Sequence, residues 1–202
     1  MKKTIKPHSN KNESKKNQII QMFDEISKTY DVLNRIITLG IDSVWRRKIY
    51  RIIKKFKHEF VLDIATGTGD LIIELSKLNT KKIIGVDISP KMLEIGKEKL
   101  KKRGLSKKIK MLLGDSEDLK FKDKTFDVVT VAFGVRNFEN LDKGLNEIKR
   151  VLKPKGVLII LETAIPRNWF VKSIYKVYMK IFMPVIGFIF SKNFYAYNYL
   201  SN

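Results

Sequence analysis

The 202-residue chain contains no cysteine. That single absence excludes a disulfide framework, a thiolate metal site and a cysteine nucleophile, and it is compatible with a reducing compartment. Histidine is nearly missing as well: His8 lies among the polar N-terminal residues, and His58 stands just before the first expected strand, at the wrong end of a sheet for a catalytic base. Long apolar runs are lacking too. The longest, Ile181 to Phe190, is broken by Pro184 and Gly187 and falls far short of the roughly 20 residues that cross a bilayer. Met1 to Lys16, mostly Lys, Asn and Ser, lacks the apolar stretch of a signal peptide and reads as a mobile basic tail. These absences predict a cytoplasmic chain without a membrane span.

Acidic residues are scarce beside basic ones. Forty-one Lys plus Arg against 21 Asp plus Glu give a formal charge of +20, which predicts affinity for a polyanion, either nucleic acid or an anionic membrane surface. Lysine is spread along the whole chain, as in a composition biased toward Lys, Ile and Asn. A hydrophobic share of 44% suits one globular domain with a sizeable core.

The apolar pattern divides the chain. Ile20, Phe23, Ile26, Tyr30 and Leu33 recur at helical spacing, and Asp42 or Ser43 is placed to cap a second helix carrying Val44, Trp45, Ile49, Ile52, Ile53 and Phe56. The rhythm then changes to short β-rich runs at Phe60–Ile64, Lys82–Val86, Lys110–Leu113, Phe126–Val131 and Val157–Leu161. Between them lie helical segments at Leu71–Leu78, Pro90–Arg103 and Leu141–Leu152. Strands alternating with helices predict an α/β, Rossmann-like doubly wound parallel sheet with its ligand site beyond the carboxyl ends of the strands. The expected division is a tail at 1–16, helices covering the active site at 17–58, a core at 59–165 and an aromatic, basic helical segment at 166–202. In that last segment Lys172, Lys176 and Lys180 recur beside Ile174, Tyr178, Ile181 and Phe182, a pattern that fits a helix resting on anionic lipid at the inner membrane surface.

The strongest local signal is V-L-D-I-A-T-G-T-G-D, Val61 to Asp70: a buried strand, a glycine turn and a helix. Gly67 and Gly69 permit a tight turn and close backbone approach to a nucleotide-type ligand, and Asp87 at the end of the second strand is placed to accept hydrogen bonds from both ribose hydroxyls. Two details favour S-adenosylmethionine over a dinucleotide. Ile72 stands where a third glycine would be, and the first strand carries an extra acid, Asp63. No pyrophosphate then needs cradling, while a cationic methionine moiety favours nearby carboxylates. After the third strand comes G-D-S-E-D-L, which brings Asp115 and Ser116 to the same edge to contact the adenine, with Glu117 and Asp118 read as solvated loop charges. The fourth strand delivers Ala132, Phe133, Arg136 and Asn137 toward the methyl group.

These residues resemble the ubiquinone and menaquinone biosynthesis C-methyltransferase family. The matching stretches are M-F-D-E-I-S-K-T-Y-D-V-L-N-R (Met22 to Arg35), L-G-I-D-S-V-W-R-R (Leu39 to Arg47), L-D-I-A-T-G-T-G-D (Leu62 to Asp70), F-G-V-R-N (Phe133 to Asn137) and V-L-K-P-K-G (Val151 to Gly156). The glycine turn and V-L-K-P-x-G are shared by class I methyltransferases at large, whereas Y-D-x-L-N, W-R-R and F-G-x-R-N together are distinctive. The resemblance implies cofactor contacts at Thr68, Asp87, Asp115 and Ser116. It departs at Ala132, where many relatives have Ser. It further implies methyl transfer to a ring carbon of a polyprenylated demethylquinol, with demethylmenaquinol favoured over the ubiquinone-pathway benzoquinol by L-E-T-A-I-P (Leu161 to Pro166) and Phe182-Met183-Pro184. An electron-rich quinol carbon suits in-line attack on a sulfonium, with catalysis largely by positioning and desolvation. Arg136 is then a candidate for stabilising oxyanion charge, Asn137 or a water it holds for handling the proton, and Tyr30 a second candidate; no metal is expected.

The same residues admit two rival readings. The charge also suits an RNA or DNA methyltransferase, but a cytosine C5 enzyme needs a cysteine, and amino-methylating enzymes usually carry N-P-P-Y or a relative after the fourth strand, where this chain has A-F-G-V-R-N. A non-catalytic S-adenosylmethionine-binding scaffold is the third; intact Asp63, Gly67, Gly69 and Asp87 argue against loss of cofactor binding. The resemblance finally implies another helix and two further strands after the stretch matching Tyr195 to Asn202. Without them Val157–Leu161 would be an unpaired apolar edge, and self-association or lowered stability is expected.

Overall fold

Ser14 opens the first helix, its hydroxyl accepting from the backbone N–H of Asn17 at 3.2 Å. The computed structural model describes residues 13–164, 168–170, 172, 173, 178, 196 and 199. Helix α1 runs Lys15–Ile37 and buries Ile19, Met22, Ile26 and Leu33 along one stripe, the spacing expected of an amphipathic helix. Lys15 and Lys16, read from composition as the end of the tail, are therefore helical, because the Ser14 cap outweighs the local lack of apolar residues. A left-handed Gly40 (φ +76°) turns the chain into α2, Ile41–Ile53. Asp42 does not cap this helix; it lies inside its first turn and is buried.

The sheet is parallel throughout, in the order β3-β2-β1-β4-β5, formed by β1 Phe60–Ile64, β2 Lys82–Asp87, β3 Ile109–Leu113, β4 Phe126–Ala132 and β5 Leu152–Leu161. Helices α3 Asp70–Leu75, α4 Pro90–Lys102 and α5 Leu141–Val151 make three of the four crossovers, and residues 114–125 link β3 to β4 without a helix. Period-2 alternation splits the strand residues between two apolar clusters. Val61, Ile83, Ile109 and Val128 pack with Ile72, Leu75, Leu93 and Leu100, and Leu62, Ile64, Val129 and Val131 pack with Phe138, Ile148 and Val151. Strand order reverses between β1 and β4, which is where a sheet of this kind opens a crevice beyond its carboxyl ends.

Strand limits fall within a residue or two of those expected except at β5, while α3 stops three residues before the expected Leu78 and α2 ends at Ile53, short of Phe56. Strand β5 pairs first through Phe126↔Leu152, then leaves the ladder over 153–156 and resumes at Val128↔Val157, with Lys155 left-handed at φ +64°. The K-P-K-G stretch is thus an excursion within a strand.

The chain divides into two compact units, one of Met1–Asp42 with Thr163–Asn202 and one of Ser43–Glu162. Residues of α2 from Ser43 onward therefore belong with the sheet, not with α1. In the first unit the Tyr178 hydroxyl donates to the Ile37 carbonyl at 2.5 Å. Lys176, Lys180, Ile174, Ile181 and Phe182, the rest of the expected lipid-facing pattern, lie outside the described residues. Among the described residues no helix is long and apolar enough to cross a membrane.

Candidate active site

Three backbone positions in the left-handed region build the turn after β1: Ala65 (φ +54°), Gly67 (φ +55°) and Gly69 (φ +82°), the last capping α3. Left-handed backbone favours glycine. A Cβ built on Gly67 would meet nothing within 4 Å, so its glycine answers to φ and leaves the turn open on that side. The turn is anchored to β2: the Thr66 N–H donates to the Val86 carbonyl at 3.0 Å, and the Gly67 N–H donates to Asp87 Oδ2 at 2.7 Å. The other Asp87 oxygen accepts from Ser89 N–H at 2.9 Å. The ribose candidate is thus held at both oxygens by backbone, which fixes its carboxylate at the end of β2.

Asp63 lies beneath the turn and is only 1% exposed. The Thr130 hydroxyl donates to its Oδ1 at 2.5 Å. Burial pushes the Asp63 carboxyl up to about 7, against the pull of the Thr130 bond, and the charge of Asp87 adds to the rise.

Thr68 and Asp70 are bound by residues that the sequence did not single out for the site. Lys99 Nζ on α4 donates to Thr68 Oγ1 at 3.0 Å and to Asp70 Oδ1 at 2.7 Å, while Arg46 on α2 lies 3.5 Å from Asp70 Oδ2. Close approach of α4 permits this: a Cβ on Gly96 would stand 3.2 Å from the Thr68 carbonyl carbon. The signal was present as a glycine one helical turn before Lys99, but a lone Lys on an amphipathic helix reads as solvated edge. Arg46 belongs to the W-R-R stretch, whose neighbour Trp45 packs its ring on Phe133 at 5.9 Å.

After β3, Asp115 Oδ1 accepts from Glu117 N–H at 2.9 Å, and Ser116 is half-buried beside it. Glu117 corrects the expectation of a solvated charge. It is buried, and its Oε1 accepts from Glu139 N–H at 2.7 Å and Asn140 N–H at 2.9 Å, tying this loop to the segment before α5.

The turn after β4 presses on the glycine turn. A Cβ on Gly134 would come within 2.4 Å of Ala65 Cβ, and the left-handed Phe133 (φ +56°) donates its N–H to the Leu161 carbonyl at 2.8 Å. Arg136 and Asn137 follow on a short 3-10 turn, Val135–Asn137. Arg136 Nε stands 4.0 Å from Oε2 of Glu162, the residue after β5. Glu162 Oε1 is buried and has no hydrogen-bond partner among the described residues. Tyr30 belongs to the other unit, on α1, where its ring meets Phe23 edge-on at 6.0 Å. Asp63, Gly67, Thr68, Gly69, Asp87, Asp115, Ser116, Arg136 and Asn137 all lie at the carboxyl ends of the strands. His58 does not: its Nδ1 is 2.5 Å from the Phe56 carbonyl, before β1. Among the described residues no three His, Asp or Glu side chains are grouped to hold a metal.

Residues 11–202 match the ubiE/COQ5 methyltransferase family. A Bacteroides fragilis protein named demethylmenaquinone methyltransferase is 48% identical over 97% of this chain and 80% of its own length. A Thermotoga maritima protein of the same name is 43% identical over 92% of this chain and 80% of its own length. A Geotalea daltonii protein named ubiquinone/menaquinone biosynthesis C-methyltransferase UbiE is 43% identical, over 91% and 78%. Among solved structures, a putative S-adenosyl-L-methionine-dependent methyltransferase from Methanococcus maripaludis superimposes with a TM-score of 0.57 at 27% identity, covering 76% of this chain and 66% of that one.

Proposed function

The chain belongs to the ubiE/COQ5 methyltransferase family and is an S-adenosylmethionine-dependent methyltransferase, and we propose that it methylates a ring carbon of a polyprenylated demethylmenaquinol. The observation that carries the reading is the F-G-V-R-N turn. It sets Arg136 and Asn137 beyond β4, next to the strand-order reversal and in contact, through Gly134, with the glycine turn.

The residues present suit the cofactor. Left-handed, open Gly67 allows close approach; Asp87 supplies a carboxylate for a ribose-bearing cation, and Asp63, buried on Thr130, underlies the turn; Thr68, Gly69, Asp115 and Ser116 complete the candidate contacts at one edge. When bound, S-adenosylmethionine supplies an electrophilic methyl group on a sulfonium. Asp87 orients the ribose, Asp115 and Ser116 the adenine, and Arg136 faces the charge that develops on the quinol oxygen, where a fixed cation lowers the barrier more than it would in water. Asn137 positions the acceptor.

The relatives' names favour demethylmenaquinol, and the Geotalea name keeps the ubiquinone-pathway benzoquinol as the second reading. Because a prenylated acceptor resides in the bilayer, the +20 charge would draw the protein to anionic lipid. The test is turnover of purified protein with labelled S-adenosylmethionine and each demethylquinol in turn. Methylated menaquinol is the expected product; label entering the benzoquinol alone would replace the first reading with the second.

A further inference from the structure

We propose that Glu162 is the proton acceptor for methyl transfer, working beside Arg136. The inference rests on the quinol reading above.

A quinol carbon becomes strongly nucleophilic when the neighbouring hydroxyl loses its proton, so the site needs a base at the carboxyl edge of β4 and β5. Among the described residues no histidine stands there. Five carboxylates of the sheet's carboxyl edge already have partners. Asp63 is sealed beneath the glycine turn on Thr130; Asp87 is taken by the N–H groups of Gly67 and Ser89; Asp70 by Lys99 and Arg46; Asp115 by Glu117 N–H; Glu117 by the N–H groups of Glu139 and Asn140. Glu162 is different. One oxygen lies 4.0 Å from Arg136 Nε, while the other is buried without a hydrogen-bond partner among the described residues. A buried acceptor left unmade is costly, and at a functional edge that cost is intelligible if the acceptor receives a proton during turnover.

The step balances. The hydroxyl proton passes to Glu162, and the electron pair left on oxygen enriches the adjacent ring carbon. That carbon bonds to the methyl group as the methyl–sulfur bond breaks, sulfur keeping the bonding pair. The methylated carbon then loses its hydrogen as a proton, oxygen regains one, and Glu162 returns its proton to water. One proton is released per methyl transferred. Arg136 faces the oxygen while it is anionic, so proton acceptor and charge stabiliser are neighbours.

Glu162→Gln keeps size and removes the base. With demethylmenaquinol the variant is expected to lose about 100-fold or more in kcat at neutral pH, the scale of general-base catalysis. Its calorimetric affinity for S-adenosylhomocysteine is expected to stay within about threefold of the parent chain. Raising pH toward the quinol's own ionisation should progressively restore turnover, since solvent then supplies the anion. Turnover within threefold of the parent at every pH overturns the proposal. So does a deficit that stays constant as pH rises, which assigns Glu162 to positioning Arg136, and so does a parallel collapse of S-adenosylhomocysteine binding. If the parent chain itself does not turn over the quinol, it is the substrate reading that fails.

Discussion

Asp63 shows how a single buried acid links the fold to pH. Its carboxyl is raised from 3.8 to about 7 by burial, so the folded chain holds a proton that the unfolded chain gives up earlier. Its contribution is fully present below the unfolded value and is lost as pH rises through about 7, by up to roughly 4 kcal/mol at about 1.4 kcal/mol per unit. Asp127 and Glu147 shift the opposite way. Asp127 is buried, but the Lys153 ion pair and Phe60 N–H hold its carboxyl below the usual range; Arg150 does the same for Glu147. The bare stability curve therefore mixes signs, and the difference from Asp63→Asn isolates the one group. Urea unfolding from pH 4 to pH 8 should show the parent chain losing ground to the variant across that interval. Parallel curves would mean that Asp63 titrates as an ordinary carboxylate.

Among elements, α2 and α4 reach the same acid from different sides: Arg46 and Lys99 meet at Asp70, and Lys99 continues to Thr68. Lys99→Met should weaken S-adenosylhomocysteine binding roughly tenfold, the effect of losing hydrogen bonds to a charged group, and Lys99→Arg should recover part of it. Because both cations act on one carboxylate, Arg46→Met added to Lys99→Met should cost less than the two singly; strictly additive losses in calorimetry would show that no shared node exists. These contacts also mark where the sequence was readable. Alternation of apolar runs with helical segments gave the sheet, and left-handed glycines announced the turn at 65–69, since both depend on neighbours in sequence. The partners of Asp70 and Glu117 were not readable, because Lys99, Arg46, Glu139 and Asn140 come from distant segments and a charged residue on a helix or loop carries no local mark of its partner. The start of β5 before K-P-K-G was not readable for a related reason: the register that restores pairing at Val157 is set by β4, not by its own residues.

At the scale of the molecule, 41 basic residues against 21 acidic ones leave +20, and the reading of a bilayer-resident acceptor gives that excess a use. Vesicles containing anionic lipid should retain the protein where neutral vesicles do not, and retention should fall as salt shortens the Debye length from about 30 Å at ~0.01 M to about 8 Å at ~0.15 M. Equal sedimentation with both lipids would leave the excess as composition alone. The reversal of strand order between β1 and β4 has a consequence for redesign. Candidate donor-binding residues sit on β1, β2 and β3 and the turns that follow them, while candidate acceptor residues follow β4 and β5, so the sheet has a seam along which specificity is exchangeable. Grafting residues 133–162 from a relative with another acceptor should change what is methylated while leaving the donor half untouched, provided the graft keeps a glycine at 134, the hinge pin on which the two halves bear.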